Sequence, residues 1–399
     1  MKTRFYPLLL WLIALSACQS AYDPHAVEAV YQPRQYIAYR SPVPLVIDGI
    51  PDEAAWQQAP YTEWFEDIEG DLRPQPRYRT RAKMLWDDEF LYFAAELEEP
   101  HLWATLTERE SIIFHDNDFE VFIDPDGDTH DYYELEINAG APGGHLMPNR
   151  PYHDKGKANH AWNIEGLKTA VQLYGTLNDP SDTDSMWTLE IAMPWTAITA
   201  HAPGQRRPTA GEQWRVNFSR VQWQLDTVAG AYQKRIDPGT GKPFAEDNWV
   251  WSPQGIIKMH APESWGFVQF SEKMAGQGED AFVENPEEQV KWLLREVYLA
   301  QREYQKVQGA FATTVEQLPI REEIREWMVQ WLVLSLTESG YRATLPGLTC
   351  ETWQIREDGR VNCQAPAPAA RWSVVSATVL TESVASGHRP LRVVLEMRK

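Results

Sequence analysis

The sequence is short of cysteine, with three in 399 residues, which excludes a small disulfide-stapled scaffold. It is short of positive charge as well. Lys and Arg number 37 against 57 Asp and Glu, a net charge of −20, so the electrostatic footprint of a nucleic-acid binder is missing. The apolar stretch 6–17 falls short of the ~20 residues that a membrane-spanning helix needs. No G-x-S-x-G, P-loop or Rossmann glycine fingerprint occurs. His101, His115, His130, His145, His153 and His160 do not fall into zinc spacing. What is abundant is aromatic: 18 Trp, 16 Tyr and 13 Phe, ample for a core and in excess of what a core alone suggests.

The N-terminus reads as a processing segment. Lys2 and Arg4 precede the apolar run, which ends in Leu15-Ser16-Ala17-Cys18. That order resembles the bacterial lipoprotein lipobox, in which the cysteine becomes the lipid-modified N-terminus. The resemblance implies a signal peptide over 1–18, lipidation at Cys18, and, with Gln19 following, sorting to the outer membrane on either face. Residues 19–38 read as a tether. In an exported protein Cys350 and Cys363 are either a disulfide or two buried thiols. Asp358-Gly359 between them is a turn signal that favours the disulfide.

The stretch that organises the middle of the chain is 117–138. Phe119, Val121 and Ile123 share one parity and Asp118, Glu120, Phe122 and Asp124 the other, the period of a strand with one face in a core. Asp124-Pro125-Asp126-Gly127-Asp128 supplies turn chemistry. Tyr132 to Asn138 resumes the alternation, so the whole predicts a β-hairpin whose outer face carries Glu120, Glu134 or Glu136. Further strands are expected at 43–49, 78–86, 90–98, 167–174, 186–193, 214–223, 248–252 and 265–270, with one helical turn at 51–56 and another opening at Pro194-Trp195. Residues 139–159, rich in Gly and Pro, read as a long loop. Many short strands with turns between them predict a β-sandwich over 39–272.

After a small, polar linker at 273–284 the pattern changes. Val290, Leu293, Leu294, Val297 and Ala300 recur at three and four, predicting a helix over 286–308 capped by Gly309. A second helix, or an α-to-β transition, covers 321–334. Strands follow at 351–355, 361–364, 373–382 and 391–397, so 285–399 is expected to be a small α+β domain. Its helix-and-loop order resembles pilin-like domains.

The sandwich region is similar to carbohydrate-binding module family 9, a DOMON-type β-sandwich. The resemblance is carried by Asp48-Gly49-Ile50-Pro51-Asp52-Glu53-Ala54-Ala55-Trp56, Leu85-Trp86-Asp87-Asp88, Asp118-Phe119-Glu120-Val121-Phe122-Ile123-Asp124, Trp187 to Trp195, Val216-Asn217-Phe218 and Trp265-Gly266-Phe267-Val268. That family holds a sugar ring between two aromatic residues and hydrogen-bonds its hydroxyls with carboxylate, Arg and Asn. Position by position, the resemblance places the acid at Glu120 and the clamp at Phe114 and Met259. Glu136 stands where the family has its Arg. This chain therefore departs from the pattern at three of the four places: Phe114 stands for a Trp but keeps a ring that can stack, Met259 stands for an aromatic ring, and Glu136 reverses a charge.

The residues leave alternatives open. Glu120 is a ligand carboxylate or a solvated strand face, and Phe114 a platform or a core plug. Trp249, beside Trp251, is a sugar platform or core. Asp124, Asp126 and Asp128 are a structural Ca2+ loop or an acidic turn. The loop 139–159, with Tyr152, His153 and Trp162, is available to rebuild the site. The expected function is an envelope-anchored lipoprotein that binds an oligo- or polysaccharide in carbohydrate catabolism, without catalytic residues or organic cofactor, and with the membrane as its other partner. The alternatives are a component of a glycoside hydrolase acting on O-glycosyl bonds and a structural lipoprotein without ligand.

Overall fold

The computed structural model describes residues 22–27, 32–108, 111–140, 143–159, 162–364, 373–380 and 392–398. The signal segment and Cys18 lie outside them. The sandwich strands are β1 (Gln35–Arg40), β2 (Glu66–Asp67), β3 (Thr80–Trp86), β4 (Phe90–Glu98), β5 (Asp118–Asp124), β6 (Tyr133–Asn138), β7 (Gly143–Pro148) and β8 (Ala158–Asn159). They continue with β9 (Lys168–Tyr174), β10 (Met186–Pro194), β11 (Gln213–Gln222), β12 (Leu225–Val228), β13 (Ala231–Lys234), β14 (Asp247–Val250) and β15 (Gly266–Met274). Short helices α1 (Ala54–Gln58) and α2 (Trp195–Ile198) sit at the turns.

The pairing order is β8-β7-β6-β5-β11-β15-β1-β3-β4-β10-β9, with β14 beside β11. β1 pairs in parallel with both β15 and β3 and so joins the two layers of the sandwich. Phe119, Val121, Leu135 and Phe218 of one layer pack against Met84, Phe93, Leu189 and Ile191 of the other. The Phe93 and Phe218 rings meet edge to face at 5.6 Å.

Three expectations are corrected here. Residues 35–38 are not tether but belong to the central strand β1: Tyr36 and Ala38 enter the main core, and Tyr39 enters a second cluster with Trp56 and Leu85. Residues 43–49 form a loop, not a strand. The loop 139–159 contains β7 and β8, because Gly143 and Gly144 let β7 lie close under its cover. A Cβ on Gly144 would stand 2.9 Å from the Ser111 carbonyl oxygen.

The 43–49 loop is pinned by one buried acid. Glu190 on β10 accepts from the backbone N–H of Asp48 (3.1 Å) and Gly49 (3.0 Å) and from Trp56 Nε1 (2.7 Å). Gly49 sits at φ 92°, where a Cβ would come within 2.7 Å of the Val171 backbone, so both the glycine and the acid are structural. Glu190→Gln keeps the size but turns an amide donor toward groups that can only donate. Chemical denaturation of this variant is expected to show a loss of about 1–3 kcal/mol.

One ion pair crosses the end of the main core. Arg220 Nη2 lies 3.0 Å from Glu99 Oε2, with side chains 1% and 2% exposed. Arg220 also donates to Thr80 Oγ1 and Gln222 Oε1, and its guanidinium lies over the Trp249 and Tyr78 rings.

The C-terminal unit comprises α3 (Glu287–Gln308), α4 (Glu322–Trp331), the antiparallel sheet β16 (Val333–Leu336), β17 (Tyr341–Pro346), β18 (Thr352–Arg356), β19 (Val361–Gln364), and the separate pair β20 (Ser373–Leu380), β21 (Arg392–Arg398). The three-and-four stripe of α3 buries Val290, Leu293, Leu294 and Val297 against Tyr341, Ala343, Leu345 and Ile355. Gly309 caps α3 at φ 74°. Cys350 and Cys363 are joined as a disulfide, Cα to Cα 6.2 Å. The linker is strapped down, since Gln269 bonds the backbone of Ala281 and Val283. Residues 22–27 also dock on this unit, with the Tyr22 ring 5.2 Å from that of Trp331. The two units are bolted by Arg215–Glu288 (2.8 Å), Arg360–Asp128 (2.7 Å) and a buried Asp154 that receives Arg302 and Tyr298.

Candidate functional site

The β5–β6 hairpin places Glu120 directly opposite Glu136 and Phe122 opposite Glu134. Because side chains alternate, all four point away from the sandwich core. An outer strand face normally meets water, yet every residue of β5 and β6 is buried. The cover comes from the single turn carrying Phe114, the turn carrying Tyr152, and the Met259-His260 segment. Together they enclose a cleft of about 380 Å³. Its floor is Glu120, Glu134 and Glu136, and its rim is Phe114 and Tyr152, 36% and 43% exposed.

The three glutamates offer oxygens that all lie within 4.8 Å of one another. Burial, and then the charge of Glu136, pushes the Glu120 carboxyl up to about 8. Burial raises Glu134 well above its ordinary value, with Glu136 and Glu120 adding repulsion. Glu136 is raised by burial as well, offset by its bonds to the wall, where it accepts from the Ile113 N–H at 3.1 Å. Asp118, on the same face, is raised by burial and by these neighbours. Among the described residues, no Lys or Arg lines the cleft. His260 Nε2 lies 3.9 Å from Glu134 Oε2, and burial lowers that imidazole to about 3, so it is neutral. Its Nδ1 lies 2.9 Å from the Tyr132 hydroxyl. The floor is thus an acceptor surface that holds protons at neutral pH or welcomes a cation, under a rim of aromatic rings.

Phe114, Glu120, Glu136 and Met259, drawn from separate stretches of the sequence, all line this one cleft. Trp249 does not. Its ring is 2% exposed in the sandwich core, 6.1 Å from Tyr78, because its register opposite Arg220 on β11 turns it inward. The expectation of a ligand contact there is corrected. Of the long loop, Tyr152 reaches the cleft. His153 faces Asp154 at the junction with the C-terminal unit, and Trp162 packs on Tyr133. Asp124, Asp126 and Asp128 do converge, but the turn already uses them. Asp124 accepts from the N–H groups of Gly127 and Thr129, and Asp128 from Arg360. Glu246, Asn248 and His260 also line the cleft. Nothing in their local sequence announces it, since long-range folding alone brings them there.

Residues 47–211 match the carbohydrate family 9 binding domain-like family. Over 119 residues the chain is 31% identical to Exoglucanase XynX of Acetivibrio thermocellus, covering 30% of this chain and 9% of that protein. Over 118 residues it is 31% identical to Endo-1,4-beta-xylanase A of Thermoanaerobacterium saccharolyticum, covering 29% of this chain and 8% of that protein. The chain therefore spans less than a tenth of the curated relatives it matches. It is also similar, at 13% identity and a TM-score of 0.37, to a family 9 carbohydrate-binding module from Caldicellulosiruptor kristjanssonii in complex with cellotriose, over 62% of this chain and 99% of that one.

Proposed function

We propose, on the premise that residues 47–211 form a carbohydrate family 9 binding domain-like domain, that this chain binds an oligo- or polysaccharide in the Phe114–Glu120–Glu136–Met259 cleft. The observation that carries this reading is the convergence of those four positions on one cleft of about 380 Å³, within the range of small-ligand sites. Aromatic faces at the rim suit the apolar face of a pyranose, and buried acceptors suit its hydroxyls. Lipidation at Cys18 would hold the module at the cell envelope as part of glycan capture for catabolism.

A glycoside hydrolase role is the second reading, favoured by a carboxyl held up at about 8 in the cleft, as a general acid requires. The glutamates offer oxygens within 4.8 Å of one another, nearer the spacing of about 5–5.5 Å in retaining enzymes than the wider spacing of inverting ones, so release of reducing sugar, not spacing, separates the two readings.

The test is an affinity-gel and calorimetric screen of the purified full chain against cello- and xylo-oligosaccharides and a broader glycan set. Phe114→Ala is expected to weaken a hit about tenfold while leaving the melting temperature in place, because the ring is exposed. Release of reducing sugar during the assay would replace the binding reading by the hydrolytic one. Absence of any hit with folded protein would favour a structural lipoprotein.

A further inference from the structure

We propose that Glu120, Glu134 and Glu136 form a divalent-cation site of the calcium class on the floor of the cleft, and that hydroxyls of the bound sugar complete the ion's coordination. The second half rests on the carbohydrate reading above. The first half stands on geometry alone.

A cation with Ca–O distances of about 2.3–2.6 Å can touch oxygens up to about 5 Å apart. The three carboxylates offer oxygens within 4.8 Å of one another, so one ion reaches all of them. Glu134 supplies the independent sign of a missing partner. It is 3% exposed, it lines the cleft, and its Oε2 has no hydrogen-bond partner among the described residues. A buried carboxylate oxygen left that way is costly unless something positive meets it, and among the described residues no Lys or Arg lines the cleft. The donors are hard oxygens with no thiolate among them, which selects calcium or magnesium over zinc or copper. Carboxylates able to bind through both oxygens, under a cleft that opens to ligand, suit the larger and more adaptable coordination of calcium. The Asp124–Asp126–Asp128 turn makes the contrast, because backbone N–H groups and Arg360 already answer its charges.

The experiment strips the full chain with chelator and titrates Ca2+, with Mg2+ alongside, by calorimetry and thermal unfolding. One equivalent of Ca2+ is expected to bind and raise the melting temperature, with Mg2+ weaker. Glu134→Gln/Glu136→Gln is expected to weaken Ca2+ at least about tenfold, and Asp126→Asn to leave it unchanged. Glu120→Gln, which keeps two of the three carboxylates, serves as the check should the double variant fail to fold, and is expected to weaken Ca2+ in the same direction. No Ca2+ response in the wild type, the same response in the Gln variants, or loss in Asp126→Asn would overturn the site. For the second half, glycan affinity is expected to fall at least tenfold in chelator. Glycan binding indifferent to chelator, with Ca2+ still bound, would overturn the bridging role and leave the carbohydrate reading intact. Ca2+ binding without any glycan binding would overturn the carbohydrate reading and leave the ion site standing.

Discussion

Arg220→Leu is expected to lower stability by about 3–5 kcal/mol, a fall in melting temperature on the order of 10 °C for domains of this size. The cause is the stranded partner. Glu99 is 1% exposed and takes its positive charge from Arg220; its other partners are neutral N–H donors at His101 and Asn117. Burial holds Arg220 below its ordinary value and Glu99 above its own, so each is kept charged by the other. Removing the guanidinium leaves a carboxyl in the core end of the sandwich, and the Trp249 and Tyr78 rings lose the cation between them. The double variant Arg220→Leu/Glu99→Leu removes both charges and is expected to recover most of the loss. If the single and double variants prove equally unstable, the cost lies in packing around Trp249 and not in the unpaired charge.

The hairpin was legible because its period of two is strict and its turn residues are explicit, and the observed register sets Glu120 against Glu136. The helix α3 was legible for the matching reason, a clean three-and-four stripe ending in Gly309. β1 was not. Its residues Tyr36, Ala38 and Tyr39 are buried on both faces, so no polar face alternates with an apolar one, and the strand hides inside what reads as tether. β7 hid for a different reason: its glycines, which read as loop, are what allow close approach beneath Ser111. For the site, parity alone exposes an acidic strand face, but parity cannot tell a solvated face from a buried one. That distinction depends on Tyr152, Met259 and His260 arriving from distant loops. Trp249 was ambiguous because two Trp on one strand face suit a platform as well as a core. Its register opposite Arg220 decides the matter, and register is a property of the pairing.

In chelator, the wild-type chain is expected to lose stability as pH rises from about 6.5 to 8, and Glu120→Gln to lose less. The Glu120 carboxyl, ordinarily near 4.5, is held up to about 8 by burial and by Glu136. Between those values the native state keeps a proton that the unfolded chain has released. The unfolded state then binds fewer protons, so stability falls with rising pH and levels off once the native carboxyl has also ionised. His260 acts in the opposite direction. Burial lowers it from 6.5 to about 3, so the unfolded chain binds the extra proton between those values and stability rises with pH there. Above about 6.5 that contribution is complete, which leaves the carboxylates to set the slope. Asp358, lowered by its bonds to His130 and Arg356, is ionised in both states across this window and adds no slope. One proton is worth at most about 1.4 kcal/mol per pH unit, so Glu120 by itself is expected to cost the wild type about 2 kcal/mol over the window, roughly 5 °C. Glu134 and Asp118, also raised by burial, add to the slope in the same direction. Melting curves at pH 6.5, 7.25 and 8 decide it. A wild-type slope that is flat, or one that Glu120→Gln leaves unchanged, would mean that Glu120 already carries its charge at neutral pH.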